Sequence, residues 1–425
     1  MSGTTVEARV LEFAEALRVV LHHAAGVHAP GPENVALPAS AGRVLAEEVK
    51  ADRDQPAFDR ATRDGFAVRA EEWTAGTRLA VAGQVRAGEV WTGGDLEAGS
   101  AIEIMTGAGV PRGADAVGMI EHVTQDAREV WAVAGRSLAV GENIVPRGSE
   151  ARAGDVLLVA GTLMGAAEIA LAAACGRAQI AVGKRPLVAI VATGDELVEL
   201  DQTPEAQQIR NSNSYALSAM VEAAGGQARR MAIARDTQED LRERIEEGRK
   251  SGLLLLSGGV SAGKYDLVED VLAEFGAEFF FTGVKMQPGK PLVFGRLPRS
   301  GSAGDRAELA EEREWTYFFG LPGNPVSTQV TFHCFVEPML RAMCGAVVRG
   351  PKFVQATLAE DVRGRAGLTR VLPAFLRHDL ERPEVRLTGW QGSGDLAANA
   401  RANCYAVLPD ARDLKAGDVI TVLLR

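Results

Sequence analysis

The sequence predicts a multidomain chain of α/β plus β type. It has a central doubly wound α/β domain, a β-rich inserted domain, a small C-terminal β domain and an N-terminal domain of helix and strand. Three observations predict it. Between residues 186 and 345, buried apolar runs alternate with loops and amphipathic helices, the pattern of a largely parallel sheet. From about 50 to 150, short alternating runs (LAVAGQV, AIEIM, AVGMIEHV, REVWAVA) are separated by turns such as TGG, EAGS and PRGAD. Residues 349–425 return to short strands and turns. A chain of 425 residues also exceeds the ~250–300 at which single cores stop growing.

In chain order, residues 4–25 read as an amphipathic helix. Thr4 and Glu7 have capping-box spacing, Val6, Val10, Phe13, Leu17, Val20 and Leu21 fall near one face, and Gly26 suits the end. Residues 162–175, small and apolar between Gly161 and Gly176, read as helix again. Within the α/β region, RPLVAIVA is a buried strand and 213–224 a helix. ARRMAIA is a strand, 238–250 a charged helix, LLLL (253–256) a strand and 265–275 a helix. EFFFTGV, PLVFGRL and WTYFFG follow as strands, and 326–343 as a helix. An antiparallel hairpin is expected near the end of the sheet, with the polar stretch 299–313 as a surface insertion in it.

Composition narrows the function. A net charge of -10 argues against sequence-independent nucleic-acid binding. Cys175, Cys334, Cys344 and Cys404 form no CxxC pair and no zinc spacing, which fits buried thiols in a reduced compartment. The six histidines form no ligand motif such as HExxH. The polar, acidic N-terminus is not a secretory signal. The longest apolar stretch, 156–182, is broken by Glu168 and Arg177, so no membrane span is expected. The expectation is a soluble cytoplasmic protein.

The chemistry concentrates in loops of the α/β region. TGDEL (193–197) follows the first strand and SGGVSAGKYD (257–266) a later one. KMQPGKP (285–291) follows FFFTGV, and LPGNP (321–325) follows WTYFFG. In a doubly wound sheet, loops after parallel strands gather at their carboxyl ends, where such folds bind ligands. The second loop satisfies seven positions of a P-loop, with Gly258, Gly263 and Lys264 correctly spaced. The eighth is Tyr265, where a magnesium-binding hydroxyl is required, so a nucleotide-triphosphate reading fails there. Gly194, Gly258, Gly259, Gly263, Gly289 and Gly323 permit close backbone approach. Pro288, Pro291, Pro322 and Pro325 stiffen two loops. Lys264 and Lys290 can neutralise an anion, while Asp195, Glu196 and Asp266 can hold a hard cation such as magnesium. Together they point to an anionic, phosphate-bearing ligand with a divalent cation.

The set TGDEL, IRNSNSYAL (209–217), SGGVSAGKYD, PGKP and LPGNPVS closely resembles the molybdenum insertase family, the molybdopterin molybdenumtransferases. FDRATRDGFAV (58–68), IMTGAGVPRGADAV (104–117), GENIVPRGSEARAGDVLL (141–158) and GSGDLAANARANCYAVLP (392–409) extend the resemblance over nearly the whole chain. It implies a discontinuous N-terminal domain from 1–50 and 150–184, a β-rich domain over 51–149, a MogA-like α/β domain over 185–347 and a C-terminal β domain over 348–425. It also implies an elongated homodimer, with each cleft formed by the α/β domain of one protomer and the β-rich parts of its partner. The substrates would be adenylylated molybdopterin and molybdate, and the products molybdenum cofactor and AMP, with magnesium assisting. Expected partners are the molybdopterin adenylyltransferase and cofactor-receiving enzymes.

Carried over by position, the resemblance implies functional roles for Asp64, Glu196, Asp266 and Lys290. Thr106, Glu150, Ser212 and Asn213 become substrate contacts. So do Thr193, Gly194 and Asp195 of the first loop, and Ser257, Gly258, Gly259, Ser261, Gly263 and Lys264 of the second. Pro288, Gly289 and Pro291, with Pro322, Gly323, Asn324 and Pro325, complete the pocket. The metal set becomes Asp195, Glu196, Asp236 and Asp266. Three positions depart from the family pattern. Ser149 and Glu150 stand where an aspartate motif is usual, and Gln287 replaces a basic residue before PGKP, leaving Lys285 or Lys290 for an oxyanion. Ala61 and Arg63 replace the usual serine and methionine. Two other readings stay open: the preceding adenylylation step, separable by supplying molybdopterin with ATP, and a non-catalytic scaffold, separable by complementation.

Overall fold

Three apolar strands, Leu187–Ala192, Leu253–Ser257 and Trp315–Leu321, form the centre of the protein. The computed structural model describes residues 9–126, 128–259, 267–300, 314–378, 380 and 382–425. The central sheet runs Gln227–Arg230, Leu187–Ala192, Leu253–Ser257, Trp315–Leu321, Val293–Pro298, Glu278–Phe281. Its first four strands are parallel. Val293–Pro298 is antiparallel to Trp315–Leu321, and Glu278–Phe281 antiparallel to it in turn. This is the doubly wound sheet with a hairpin that the sequence predicts. Residues 301–313 of the expected insertion lie outside the described residues.

Because side chains alternate along a strand, the apolar runs serve both faces. Val188, Ile190, Leu253 and Leu255 pack with Leu217, Val221, Val326 and Val330 of the helices on one side. Ala189, Val191, Leu254 and Leu256 pack on the other with Leu241, Ile245, Val268 and Val271. The Ser212–Ala223 helix is capped by Asn211, whose side chain accepts from the Ser214 amide, and Gln238–Gly248 by Thr237 in the same way. The last helix spans 325–343 with Pro325 in its first turn. Its Phe332–Val336 stretch is π-helical, just ahead of Pro338. Proline has no N–H for the regular ladder and its ring crowds the preceding turn, so a widened turn accommodates it.

Two expected elements differ. The helix expected over 4–25 begins at Phe13 and ends at Ala25, because Val10–Glu12 is a strand lying parallel to Gly283–Gln287. Unpaired backbone on a neighbouring strand outcompetes the local helical pattern. Thr4 and Glu7 lie outside the described residues. The helix buries Ala16, Val20 and Ala24 in the α/β core, with Phe13 edge-on to Phe335, so residues 10–25 pack there rather than against 150–184. The second difference is EFFFTGV, which divides at Thr282. Glu278–Phe281 is the edge of the α/β sheet, whereas Gly283–Gln287 joins the C-terminal sheet through Thr369–Arg377.

That C-terminal sheet closes on itself. Thr369–Arg377, Glu384–Leu387, Phe353–Leu358, Val419–Leu424 and Cys404–Leu408 pair in sequence, and the last returns to the first. In the N-terminal region, Pro32–Ala36 pairs with Gln179–Gly183 and Val49–Lys50 with Val156–Leu158. Their core includes Leu45, Val49, Met164 and Ile180 beside the Ala166–Ala174 helix, which begins four residues later than the helix expected over 162–175. Between these halves, a six-stranded sheet carries one core around Phe66 and Trp73 and another around Leu96 and Ile104. All four cysteines are free and buried, and burial pushes the Cys344 and Cys404 thiols up to about 11. Among the described residues, no helix is long and apolar enough to cross a membrane.

Phe294 unites the parts of the α/β core. It is fully buried, with ring centroids 4.5 Å from Phe319, 5.2 Å from Phe280, 5.7 Å from Phe281 and 5.8 Å from His23 of the first helix. Phe294→Ala should cost about 3–5 kcal/mol, read as a lower urea midpoint. A midpoint equal to that of the unsubstituted protein would refute this central role.

Candidate functional site

The three central strands end at one level. Ser257 is in register with Ala192 on one side and Leu321 on the other. The ladder continues one step beyond, with Thr193 N–H donating to the Ser257 carbonyl (3.0 Å) and Gly258 N–H to the Leu321 carbonyl (3.2 Å). Three loops therefore leave the sheet side by side. Asn213, one residue into its helix, binds two of them, its amide donating to Ser257 Oγ (2.9 Å) and to the Gly323 carbonyl (2.7 Å).

Above these ends lies a cleft of about 1190 Å³. Thr193, Gly194, Glu196, Ser212, Asn213 and Asp236 line it, together with Ser257, Gly258 and Gly259 at the strand end. Pro288, Gly289, Lys290 and Pro291 line it too, as do Pro322, Gly323, Asn324 and Pro325. Asp195 is not part of the lining; its carboxylate accepts from the Asp236 amide at 3.3 Å. Ser261, Gly263, Lys264 and Asp266 lie outside the described residues. Asp64, Thr106 and Glu150 are in the β-rich region and line no part of this cleft. There, Thr106 donates through both its amide and its hydroxyl to Asp64 Oδ1 (2.6 Å each), holding that carboxyl below its usual range. Arg60 donates to Glu150 at 3.0 Å nearby.

The glycines of the second loop have a different cause from the expected one. Gly258 (φ +97) and Gly259 (φ +66) are left-handed, and a Cβ on either would fall 2.5 Å from the Thr193 carbonyl oxygen or 2.6 Å from Thr193 Oγ1. The neighbouring loop, packed against them, already excludes a side chain. Thr193 Oγ1 is buried and has no hydrogen-bond partner among the described residues.

The PGKP loop also reaches the cleft by an unexpected route. It follows Gly283–Gln287, a strand of the C-terminal sheet, so the rule for parallel strand ends does not bring it there. Lys285, one of two candidates for an oxyanion, does not line the cleft and donates to Glu12 at 2.6 Å. Lys290 lines the cleft with no ion pair among the described residues. Gln287 accepts from Arg365 of the C-terminal region at 3.0 Å. Burial and then the Arg365 charge lower the neighbouring Arg370, so two guanidinium groups crowd this rim.

Glu196 and Asp236 line the same cleft. Burial, then the charges of Asp195 and Glu196, push the Asp236 carboxyl above its usual range. Among the described residues, however, no three His, Cys, Asp or Glu side chains converge closely enough to hold a metal. The expected four-carboxylate set is thus not assembled by its three described members.

Sequence reasoning missed Arg210, Asn211, Ser327, Leu368, Trp390, Ser393 and Leu396, which also line the cleft. Arg210 and Asn211 lie inside IRNSNSYAL, and Ser393 and Leu396 inside the GSGDL run, so those motifs held the signal. Trp390 and Leu368 had none, since only the fold brings the C-terminal region over the strand ends.

Comparison with known proteins gives matches along the chain. Residues 11–176 match the MoeA N-terminal region (domain I and II), 189–342 the family described as "Probable molybdopterin binding domain", and 355–424 the MoeA C-terminal region (domain IV). The chain is 33% identical over 402 residues to a molybdopterin molybdenumtransferase of Staphylococcus aureus, covering 92% of this chain and 90% of that one. It is 31% identical over 398 residues to that of Staphylococcus epidermidis, with the same coverage. A crystal structure of molybdopterin biosynthesis moeA protein from Pyrococcus horikoshii OT3 superposes with a TM-score of 0.78 at 26% identity, covering 98% of this chain and 100% of that one.

The raised Asp236 carboxyl has a sign that can be checked. Its ionised form is disfavoured in the folded state, so the penalty appears as pH rises from 3.8 through the raised value and persists at neutrality. Asp236→Asn should therefore raise Tm slightly at pH 7 and leave it unchanged near pH 3. A lower Tm at pH 7 would contradict the repulsion.

Proposed function

The chain belongs to the MoeA family of molybdopterin molybdenumtransferases, and from that membership we propose that it inserts molybdate into adenylylated molybdopterin with magnesium-assisted release of AMP. The observation that supports this reading is that Glu196, Asp236 and Lys290 line one strand-end cleft, with Arg365 bonded to Gln287 of the same lining. A substrate bearing both a phosphoanhydride and an oxyanion partner needs both signs of charge in one pocket.

The Ser257 hydroxyl would donate to a phosphate, held in place with the Pro322–Pro325 loop by the Asn213 amide, which donates to Ser257 Oγ and to the Gly323 carbonyl. Lys290 would attract molybdate. Arg365, bonded to Gln287, would supply the positive charge that Gln287 itself lacks. Burial, then the charges of Asp195 and Glu196, raise Asp236, and a bound cation would offset both, which supports Glu196 and Asp236 as magnesium contacts, with Asp195 beside them and Asp266 from the glycine loop. Magnesium, when bound, would polarise the phosphoanhydride for attack by water, with AMP as the leaving group.

In this reading the protein works as a cytoplasmic homodimer. The exposed Asp64–Thr106 pair and Glu150, remote from the cleft of their own chain, would complete the cleft of the partner. The adenylyltransferase would deliver the substrate, and molybdenum enzymes would receive the product.

Two experiments test the assignment. Glu196→Gln and Asp266→Asn should fold normally yet release AMP from the adenylate about a hundredfold more slowly, since metal polarisation is worth several kcal/mol. Near-normal release by both folded variants would exclude their role. Arg365→Ala should raise the molybdate concentration for half-maximal insertion about tenfold, the worth of a charge-assisted hydrogen bond. An unchanged molybdate dependence would remove Arg365 from the site.

A further inference from the structure

A second cavity, of about 740 Å³, lies where the N-terminal, α/β and C-terminal regions meet, and it shares no lining residue with the first. It lies within the ~300–1,000 Å³ range of small-molecule sites. The protein carries a net charge of -10, yet this cavity is lined by Arg43, Arg341, Arg349, Lys352 and Arg425, with Glu337 as the one acidic side chain among the described residues of the lining. Glu337 is already engaged: against the cost of burial, His333 (2.9 Å) and Arg341 (2.7 Å) hold it ionised, down at about 2. Arg43 is buried, pairing with Glu33 and donating to the Gly183 carbonyl at 2.8 Å. Arg349 and Lys352 have no carboxylate partner among the described residues.

Apolar surface accompanies the charge. Val159, Leu163 and Val347, which help form the wall, are 56%, 46% and 60% exposed. Three large aliphatic side chains thus lie open to water beside cations with no carboxylate partner among the described residues, and a ligand that is apolar at one end and anionic at the other would cover the first and pair with the second. A further feature is the wall itself. His333 lies within the π-helical turn and Glu337 directly follows it, the kind of helix irregularity that recurs at binding sites.

We propose that this cavity is a ligand site for small amphiphilic anions, with a carboxylate or phosphate monoester held by Arg349 and Lys352 and an apolar or aromatic body against Val159, Leu163 and Val347. Leu423 and Leu424 of the C-terminal barrel line the second cavity, while Leu368, Trp390 and Leu396 of the same region line the first. The assignment does not rest on the insertase reading, because binding is measured without turnover.

The test uses the full-length protein with phenyl phosphate, hexanoate, inorganic phosphate and hexanol as probes in thermal-shift and calorimetric titrations. Phenyl phosphate or hexanoate should bind saturably and raise Tm; whichever binds more tightly identifies the head group. Inorganic phosphate and hexanol should each bind at least about tenfold more weakly. The Arg349→Ala/Lys352→Ala variant, altered only at exposed side chains outside the first cleft, should keep its own Tm yet bind phenyl phosphate about tenfold more weakly. Val347→Asp should weaken both organic anions in the same way. Equal binding by the double variant, or no saturation by either organic anion, overturns the site. So does conversion of a dimer to a monomer by Val347→Asp without any anion binding, which would assign the exposed apolar side chains to contact with a second copy of the chain.

Discussion

The level register of three parallel strands is the constraint on which the rest depends. Ser257 is paired with Ala192 and Leu321 at once, so the loops that follow all begin in one plane and must share the space above it. That crowding explains the chemistry of the loops better than ligand contact alone. The glycines at 258 and 259 are required by the Thr193 backbone and hydroxyl beside them, and Asn213 can bridge two loops only because neither is displaced along its strand. A slip of one residue in any of the three would reverse the faces of every apolar side chain and scatter the loops together.

The opposite side of the cleft comes from a different kind of joint. At Thr282 the chain leaves one sheet and enters another, so the PGKP loop is anchored to the C-terminal barrel rather than to the strands it faces. The strand formed by residues 10–12 covers the free edge of that crossing segment and its Glu12 occupies Lys285. Gln287, at the end of that segment, accepts from Arg365, which comes from a loop of the barrel.

The layered α/β region is legible because its signals are local. Two-sided apolar strands, Asn211 and Thr237 caps, and Pro325 at a helix start each act within a few residues. Most of the loops that line the cleft are legible for the same reason, since strand order predicts where their ends converge. What the sequence conceals is nonlocal. Residues 10–12 have helical periodicity but find an open edge some 270 positions away, in the strand at 283–287. EFFFTGV has the composition of one strand, and nothing in it marks Thr282 as the point of exchange between sheets. Trp390 and Leu368 carry no motif, because their place over the cleft follows from how a separate barrel is seated.

The burial of all four cysteines has a chemical consequence for a chamber that handles a dithiolene. Thiol–disulfide exchange and capture of soft metals both proceed through a thiolate. No cysteine is among the described residues lining the first cleft, and raised pKa values keep the buried Cys344 and Cys404 protonated elsewhere. The sulfur atoms of a bound pterin therefore meet no thiol among those residues, only the unreactive thioether of Met286. The cargo is kept from mixed disulfides by where the protein's own thiols are buried.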